Sequence, residues 1–392
     1  MKTHMLRRAR QLLTGTLLLL AFVLAACDLS SGSGGSPTAT NNVHLTPTSS
    51  GILLGAQTCP DVVKDPAHWN AVVGLSSGQT AESVICGNLM GIPALQAVVT
   101  VRHSGSDRML DIAIYNNITA SSPTQVFALR GLLHGDARIS GYNTLLTGQA
   151  DPHSRLNKGL PSSELQQDLY REFKWSDSAR TFVQSAFPGI FPDLTRFQAE
   201  FVQQDVNQGQ GFQQWRLDVV KSAQTFANSL LNWPANAPVT VLSGGGAHDT
   251  KAIVQVQKTA SGGGMIRISF SRLELNANGG IWEATAVETN GMSITAPQSE
   301  QVVTSPITVT GSGMAFQGTV GTLKVLDNQY TNIGQVDARG ASFNGKTAFS
   351  SMLPYSSSFH GGMQEGVVAL YAYSTTDHSI VGAVMVKVLL SG

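Results

Sequence analysis

Apolar positions recur along this chain at two spacings. Alternation dominates from Leu95 to about Ala150, where Gln96–Arg102 (Q-A-V-V-T-V-R) and Met109–Tyr115 (M-L-D-I-A-I-Y) predict strands joined by a turn at Ser104-Gly105-Ser106-Asp107. Gln125–Leu129 and Ala137–Leu146 predict weaker strands, and Pro66–Val73 a short helix. Leu169–Trp175 and Arg180–Phe187 predict a second hairpin, turned around Ser176-Asp177-Ser178. The period then becomes helical. Leu194, Phe197, Phe201 and Val202 predict a helix opened by Pro192 with Asp193 in its first turn. Val219, Ala223, Phe226 and Leu230 predict another, ended by Trp233-Pro234. Alternation returns at Ala252–Gln257, at Ile266, Ile268 and Phe270, and at Trp282–Glu288 after a turn at Asn276–Gly280. From Ile294 the pattern is all-β, with short runs at Ile307–Thr310, Met314–Val320, Thr322–Asp327, Phe349–Leu353, Val367–Ser374 and Ala383–Leu390.

The longest apolar run lies at the N-terminus. Lys2, Arg7, Arg8 and Arg10 precede Leu17–Leu24, the layout of an export signal, and Gln11–Ala26 is short for a bilayer span, which wants about 20 residues. The run stops at Leu24-Ala25-Ala26-Cys27, which resembles the lipobox of bacterial lipoproteins. With residues 1–27 read as a lipoprotein signal, that resemblance implies cleavage just before Cys27, a diacylglyceryl thioether on Cys27 as the new N-terminus, and a folded part held at the cell membrane outside the cytoplasm. Residues 28–52, rich in Gly, Ser, Thr and Pro, predict a flexible tether with a mean reach of about 25–30 Å.

Composition narrows the partners. Lys+Arg 25 balances Asp+Glu 25. Cleavage removes four basic residues and leaves 21 against 25, a net charge of −4. Nucleic-acid binding normally needs a basic excess, so no nucleic acid is expected. Charged residues are 13% of the chain, about half the usual share, and neutral polar residues with 40 glycines take their place, as in exported strand-rich proteins. Beyond Cys27 there remain Cys59 and Cys86, and an even pair in an oxidising space predicts a disulfide worth about 3.5 kcal/mol by loop closure.

The C-terminal stretch carries a resemblance. Ile294-Thr295-Ala296-Pro297, Ser305-Pro306-Ile307-Thr308-Val309-Thr310-Gly311, Ala315-Phe316-Gln317-Gly318-Thr319-Val320, Ala348-Phe349, Leu353-Pro354-Tyr355, Val367–Ser374 and Val384–Leu389 resemble the immunoglobulin-like domain of bacterial spore germination proteins. Gln317 stands where the family often has Glu, and Thr347-Ala348 where it often has an aromatic before the later Phe. The resemblance implies an accessory, non-catalytic module in the envelope. Val309, Phe316, Val320, Leu323, Val325, Leu370, Val386 and Val388 are the expected filling between its two sheets. The fold expected is an α+β central region followed by an all-β immunoglobulin-like sandwich: a strand-rich domain over 53–157, an α+β domain over 158–292 (hairpin, two helices, antiparallel meander) and the sandwich over 293–392.

Candidate chemistry is sparse. Gly74-Leu75-Ser76-Ser77-Gly78 matches the nucleophile-elbow pattern, but that turn needs a strand before it and a helix after it. His134, His153, His248 and His378 each lie near an acid in polar turns, without metal-ligand spacing. Ser243–Asp249 is Gly-rich yet runs into a strand pattern and lacks the lysine of a phosphate loop. Asp168, Glu172 and Asp177 could supply carboxylates, with no spacing that fixes a hydrolytic pair. Trp175, Trp215, Trp233 and Trp282 sit among apolar neighbours, as core residues do. No catalytic residue, cofactor or metal is therefore expected. The function expected is that of a non-catalytic, lipid-anchored envelope protein that binds cell-wall material or another envelope protein, with a link to sporulation or germination. A hydrolase carried by 53–292 and a solute-binding lipoprotein are the alternatives.

Overall fold

A computed structural model of the protein describes residues 52–75, 79–105, 107–259, 262–274 and 279–392. The signal, Cys27 and nearly all of the tether lie outside the described residues, as do Ser76, Ser77 and Ser106. The first part is a meander. Strands β1 (Thr80–Gly87), β2 (Gln96–Arg102), β3 (Leu110–Asn116) and β4 (Thr124–Leu132) form one antiparallel sheet in chain order, and β5 (Asp136–Ile139), β6 (Leu145–Gln149), β7 (Leu169–Ser176) and β8 (Thr181–Ser185) form a second. Their inner faces meet through Val98, Leu110, Ile112, Ile114, Leu132, Leu145, Phe173 and Phe182, the alternate positions that face inward on paired strands.

Helix α1 (Pro66–Val73) lies on the outer face of the first sheet, where Trp69 and Val63 pack on Ala97, Val99 and Tyr115. Asp65 caps it by accepting from the Ala67 amide at 2.9 Å, and Gly74 ends it in the left-handed region at φ 64°, which a residue without Cβ adopts at little cost. Two more α-helices follow among the described residues, α2 (Arg196–Asn207) and α3 (Val219–Leu231). Thr195 caps α2, three residues beyond the expected start at Pro192, because residues 187–194 are drawn into the interior. There Ile190 N–H donates to Ala284 O, and Ala284 N–H returns to Phe191 O. The buried face of α2 carries Ala199, Val202 and Val206, whereas Phe201 is exposed. On α3 Val219, Ala223 and Phe226 face inward as expected, joined by Ala227 and Leu231.

The remaining strands are β9 (Val239–Gly244), β10 (Lys251–Thr259), β11 (Gly262–Ser271), β12 (Glu283–Glu288), β13 (Ser293–Ala296), β14 (Gln301–Val303), β15 (Ile307–Ala315), β16 (Thr319–Leu326), β17 (Asn332–Arg339), β18 (Gly345–Leu353), β19 (Met363–Tyr373) and β20 (Ile380–Ser391). They form a small sheet, β13-β15-β18, and a nine-stranded sheet that runs β17-β16-β19-β20-β12-β11-β10-β9, with β14 parallel to β20. The protein is thus mostly strand with an immunoglobulin-like C-terminal part. The run expected over Met314–Val320 is broken by a turn, with Gln317 at φ 51° and Gly318 at φ 79°. That turn leaves Phe316 57% exposed, while Val309, Val320, Leu323, Val325, Leu370 and Val388 are buried and Val386 partly so. Strand β17, whose N-I-G-Q-V-D-A-R pattern is weakly apolar, was not expected.

Neither 157/158 nor 292/293 is a break in hydrogen bonding. β6 pairs with β7 across the first, and β12 meets β20 at Val287 and Met385 across the second. Period-two alternation finds strands but does not say which strands pair.

Candidate functional site

Strands β19 and β20 are covered on both faces. Val368, Leu370, Val388 and Leu390 fill the sandwich, while Val367, Ala369, Tyr371, Ala383 and Met385 point the other way, onto Phe191, Val219, Phe226 and Trp233. Lys387 and Glu365 lie on this second face. Lys387 Nζ stands 3.3 Å from Glu365 Oε2 and donates to Gly189 O at 2.9 Å and Leu194 O at 2.6 Å. Glu365 Oε1 accepts from the Phe187 amide at 3.0 Å. Beside them Arg216, with no exposed surface, donates to Asp193 Oδ2 at 2.7 Å and to Glu283. The Tyr330 hydroxyl reaches the carbonyls of Ile190 and Pro192 at 2.8 and 3.0 Å. Farther along, Arg196 ties Glu172 at 2.9 Å to Glu274 at 3.0 Å, and Thr144 donates to Glu172.

Burial dominates the electrostatics of this seam. It pushes the Glu274 carboxyl up to about 8 against the pull of Arg196, and Glu365 up to about 7 against that of Lys387. It raises Glu283 well above the carboxylate range despite Arg216, raises the Tyr330 hydroxyl, and lowers the Lys387 ammonium. Shifts of this kind occur both at catalytic groups and in structural ion-pair networks. The side chains of Glu283, Glu365 and Glu274 are 0, 1 and 3% exposed, and each is engaged by a cation. They hold elements together.

Two grooves open to solvent. One, about 510 Å³, lies where the meander meets the small sheet; its floor is Gln255, Met265, Arg267 and Glu288 and its wall residues 289–294. The other, about 540 Å³, lies on the outer face of the first sheet past the end of α1, between Leu75, Gln79, His103, Asp111, Gln125 and Arg130. There His103 Nε2 is 3.1 Å from Asp111 Oδ2, and Asp111 Oδ1 accepts from the Gly131 amide at 2.8 Å. The three raised carboxylates of the seam line neither groove.

Cys59 and Cys86 are bonded, with Cα atoms 5.2 Å apart. The elbow pattern runs from a helix (α1) to a strand (β1), the reverse of the strand-to-helix order a nucleophile elbow needs, and its Ser76 and Ser77 lie outside the described residues. Ser243–Asp249 closes the β9–β10 hairpin, where Asp249 accepts from the Gly246 amide at 2.8 Å. Among the described residues no group of three or more His, Cys, Asp or Glu could hold a metal. The histidines remain apart: His134 contacts Ser162 O at 2.6 Å, His153 donates its amide to Asp151, and His378 sits in a left-handed turn.

Asp168, raised by burial, accepts from Asp151 N–H and Gln329 Nε2; Glu172 belongs to the seam; Asp177 accepts from Trp175 Nε1 at 2.8 Å. Trp233 and Trp282 are core residues, and Trp175 and Trp215 are partly buried. Sequence reasoning missed the seam. Its one signal was Lys387 inside the run Val384–Leu390, where a sheet covered on both faces leaves no solvent for an ammonium.

Residues 292–379 match the family described as the immunoglobulin-like domain of bacterial spore germination. The match covers β13 to β19 and stops before β20. A comparison with curated proteins returned no match.

Proposed function

We propose that this is a lipid-anchored protein of the bacterial cell envelope that works by binding rather than by turnover. Its immunoglobulin-like domain serves as a contact module for a cell-wall component or another envelope protein. The observation that carries the reading is the match at 292–379, several of whose strands share a sheet with the rest of the chain. Lipobox-like Leu24–Cys27 supports the anchor, and residues 28–52 supply the reach. The helices and meander of 158–292 are then the α+β support on which the module is mounted.

The groove beside β13, lined by Arg267, Glu288 and Asn290, offers polar side chains to an uncharged or mixed-charge ligand where the module meets its support. The link to germination comes from the family description alone. Full-length protein immobilised in detergent is tested against isolated wall and envelope fractions. Retention of one component, weakened about tenfold or more by Arg267→Glu with Glu288→Lys, is the expected outcome. Turnover of wall fragments or esters without retention overturns it and moves attention to the groove bearing His103 and Asp111.

A further inference from the structure

At one end of the immunoglobulin-like sandwich, two turns form a projecting tip. The β15–β16 turn carries Phe316, and the loop before β18 carries Phe343; their exposures are 57 and 67%, and Met314 beside them is 61% exposed. The turns are laced together. Phe316 N–H donates to Thr319 O at 2.9 Å, Gly318 N–H to Phe343 O at 2.6 Å, Gly340 N–H to Gly318 O at 3.0 Å, and Gln317 N–H to Asn344 Oδ1 at 3.1 Å. The rings therefore stand on a fixed base. Met314 pairs with Lys346, and Thr319 with Arg339, which places two cations directly behind the apolar tip. The one acid in residues 313–323 and 336–349 is Asp337, 3.1 Å from Arg339.

We propose that this tip dips into an anionic lipid surface. Two aromatic rings and a methionine backed by Lys and Arg are the side chains that partition to a headgroup boundary: the apolar groups enter it and the cations meet lipid phosphates. The tip lines neither groove. Three side chains, on two turns and the adjoining end of β15, offer far less than the roughly 800 Å² per partner of a stable protein interface, whereas a bilayer demands no shape complementarity. The inference goes beyond the binding reading above and does not depend on lipid at Cys27, since it assigns a second, reversible contact that would fix which way the module faces.

The test uses the full chain with Cys27→Ser and Phe343→Cys, so that one free thiol takes an environment-sensitive fluorophore while Cys59 and Cys86 stay bonded. Vesicles of phosphatidylcholine with phosphatidylglycerol carry a brominated acyl chain as quencher. The same label at Ser350→Cys, on the exposed face of β18, is the control. Quenching of at least about two-fold at 343 and not at 350, reduced without phosphatidylglycerol and lost on adding Met314→Ser with Phe316→Ser, is expected. No quenching at 343, or equal quenching at 350, overturns the proposal. Flotation of a chain that keeps Cys27 but carries Met314→Ser, Phe316→Ser and Phe343→Ser reports the N-terminal attachment without the tip, so failure of the tip and failure of the anchor give different results.

Discussion

Lys387 on β20 and Glu365 on β19 face each other at 3.3 Å with neither side chain reaching solvent. The pair sits where the sandwich meets the connector over residues 187–194, so its loss should loosen two parts of the protein together. Lys387→Met leaves Glu365 buried without its cation and frees the carbonyls of Gly189 and Leu194. A loss of about 3–5 kcal/mol is expected in urea unfolding, with partial recovery in the double variant Lys387→Met, Glu365→Leu. A single variant as stable as the wild type would remove the seam from the list of stabilising features.

The raised carboxylates set a pH dependence whose sign is fixed. Unfolded Glu274 loses its proton near its ordinary value of 4.5, and folded Glu274 keeps it to about 8. Between these values the folded state binds more protons, so stability falls as pH rises from about 4.5 to 8 and then levels. Glu365 acts in the same sense up to about 7. Thermal unfolding should give a higher Tm at pH 5 than at pH 9, and Glu274→Gln should flatten the curve between them. An unchanged slope in that variant contradicts the assignment.

The Cys59–Cys86 bond closes a sequence separation of 27 residues. Replacing both by serine should cost about 3.5 kcal/mol in denaturant unfolding, and reduction of the wild type should cost the same. A loss confined to one treatment would mean that the thiols themselves, and not the cross-link, carry the effect.

Ending the chain at residue 291 removes β20 from beside β12 and strips Val367, Ala369, Tyr371 and Met385 from the core that α3 shares. The truncated protein should be degraded rapidly in limited proteolysis and melt without a cooperative transition. Residues 292–392 alone should do the same, because Val367, Ala369, Tyr371, Ala383 and Met385 would then face water. A cooperative transition in either piece shows that it folds without the shared sheet.

Much of this architecture was legible in the residues. The alternation at Gln96–Arg102, Ile266–Phe270 and Val367–Ser374 marks strands because one face or both must be apolar, and Val219, Ala223 and Phe226 mark α3 for the same reason. The parity of the cysteines foretold their bond. What escaped was long-range. Nothing local says that β12 adds to β20, that residues 187–194 are swallowed as a connector, or that Phe316 turns outward. Local period fixes which way a side chain points relative to its own strand, and the neighbour it meets is chosen by packing. The buried charges were hidden for the same reason, since Asp193, Arg216 and Glu283 come from distant segments and read singly as ordinary polar residues; Lys387 within its apolar run was the exception.

The disulfide also decides how the protein carries force. A pull arriving from the N-terminal side reaches Cys59 and passes through the sulfur bridge into Cys86, near the end of β1. Residues 60–85, helix α1 among them, are bypassed and bear no load. The load therefore enters the first sheet at Cys86, next to the last residue of β1, where the strand is paired with Ala97 of β2. A pull from that side thus reaches the first sheet without unwinding α1.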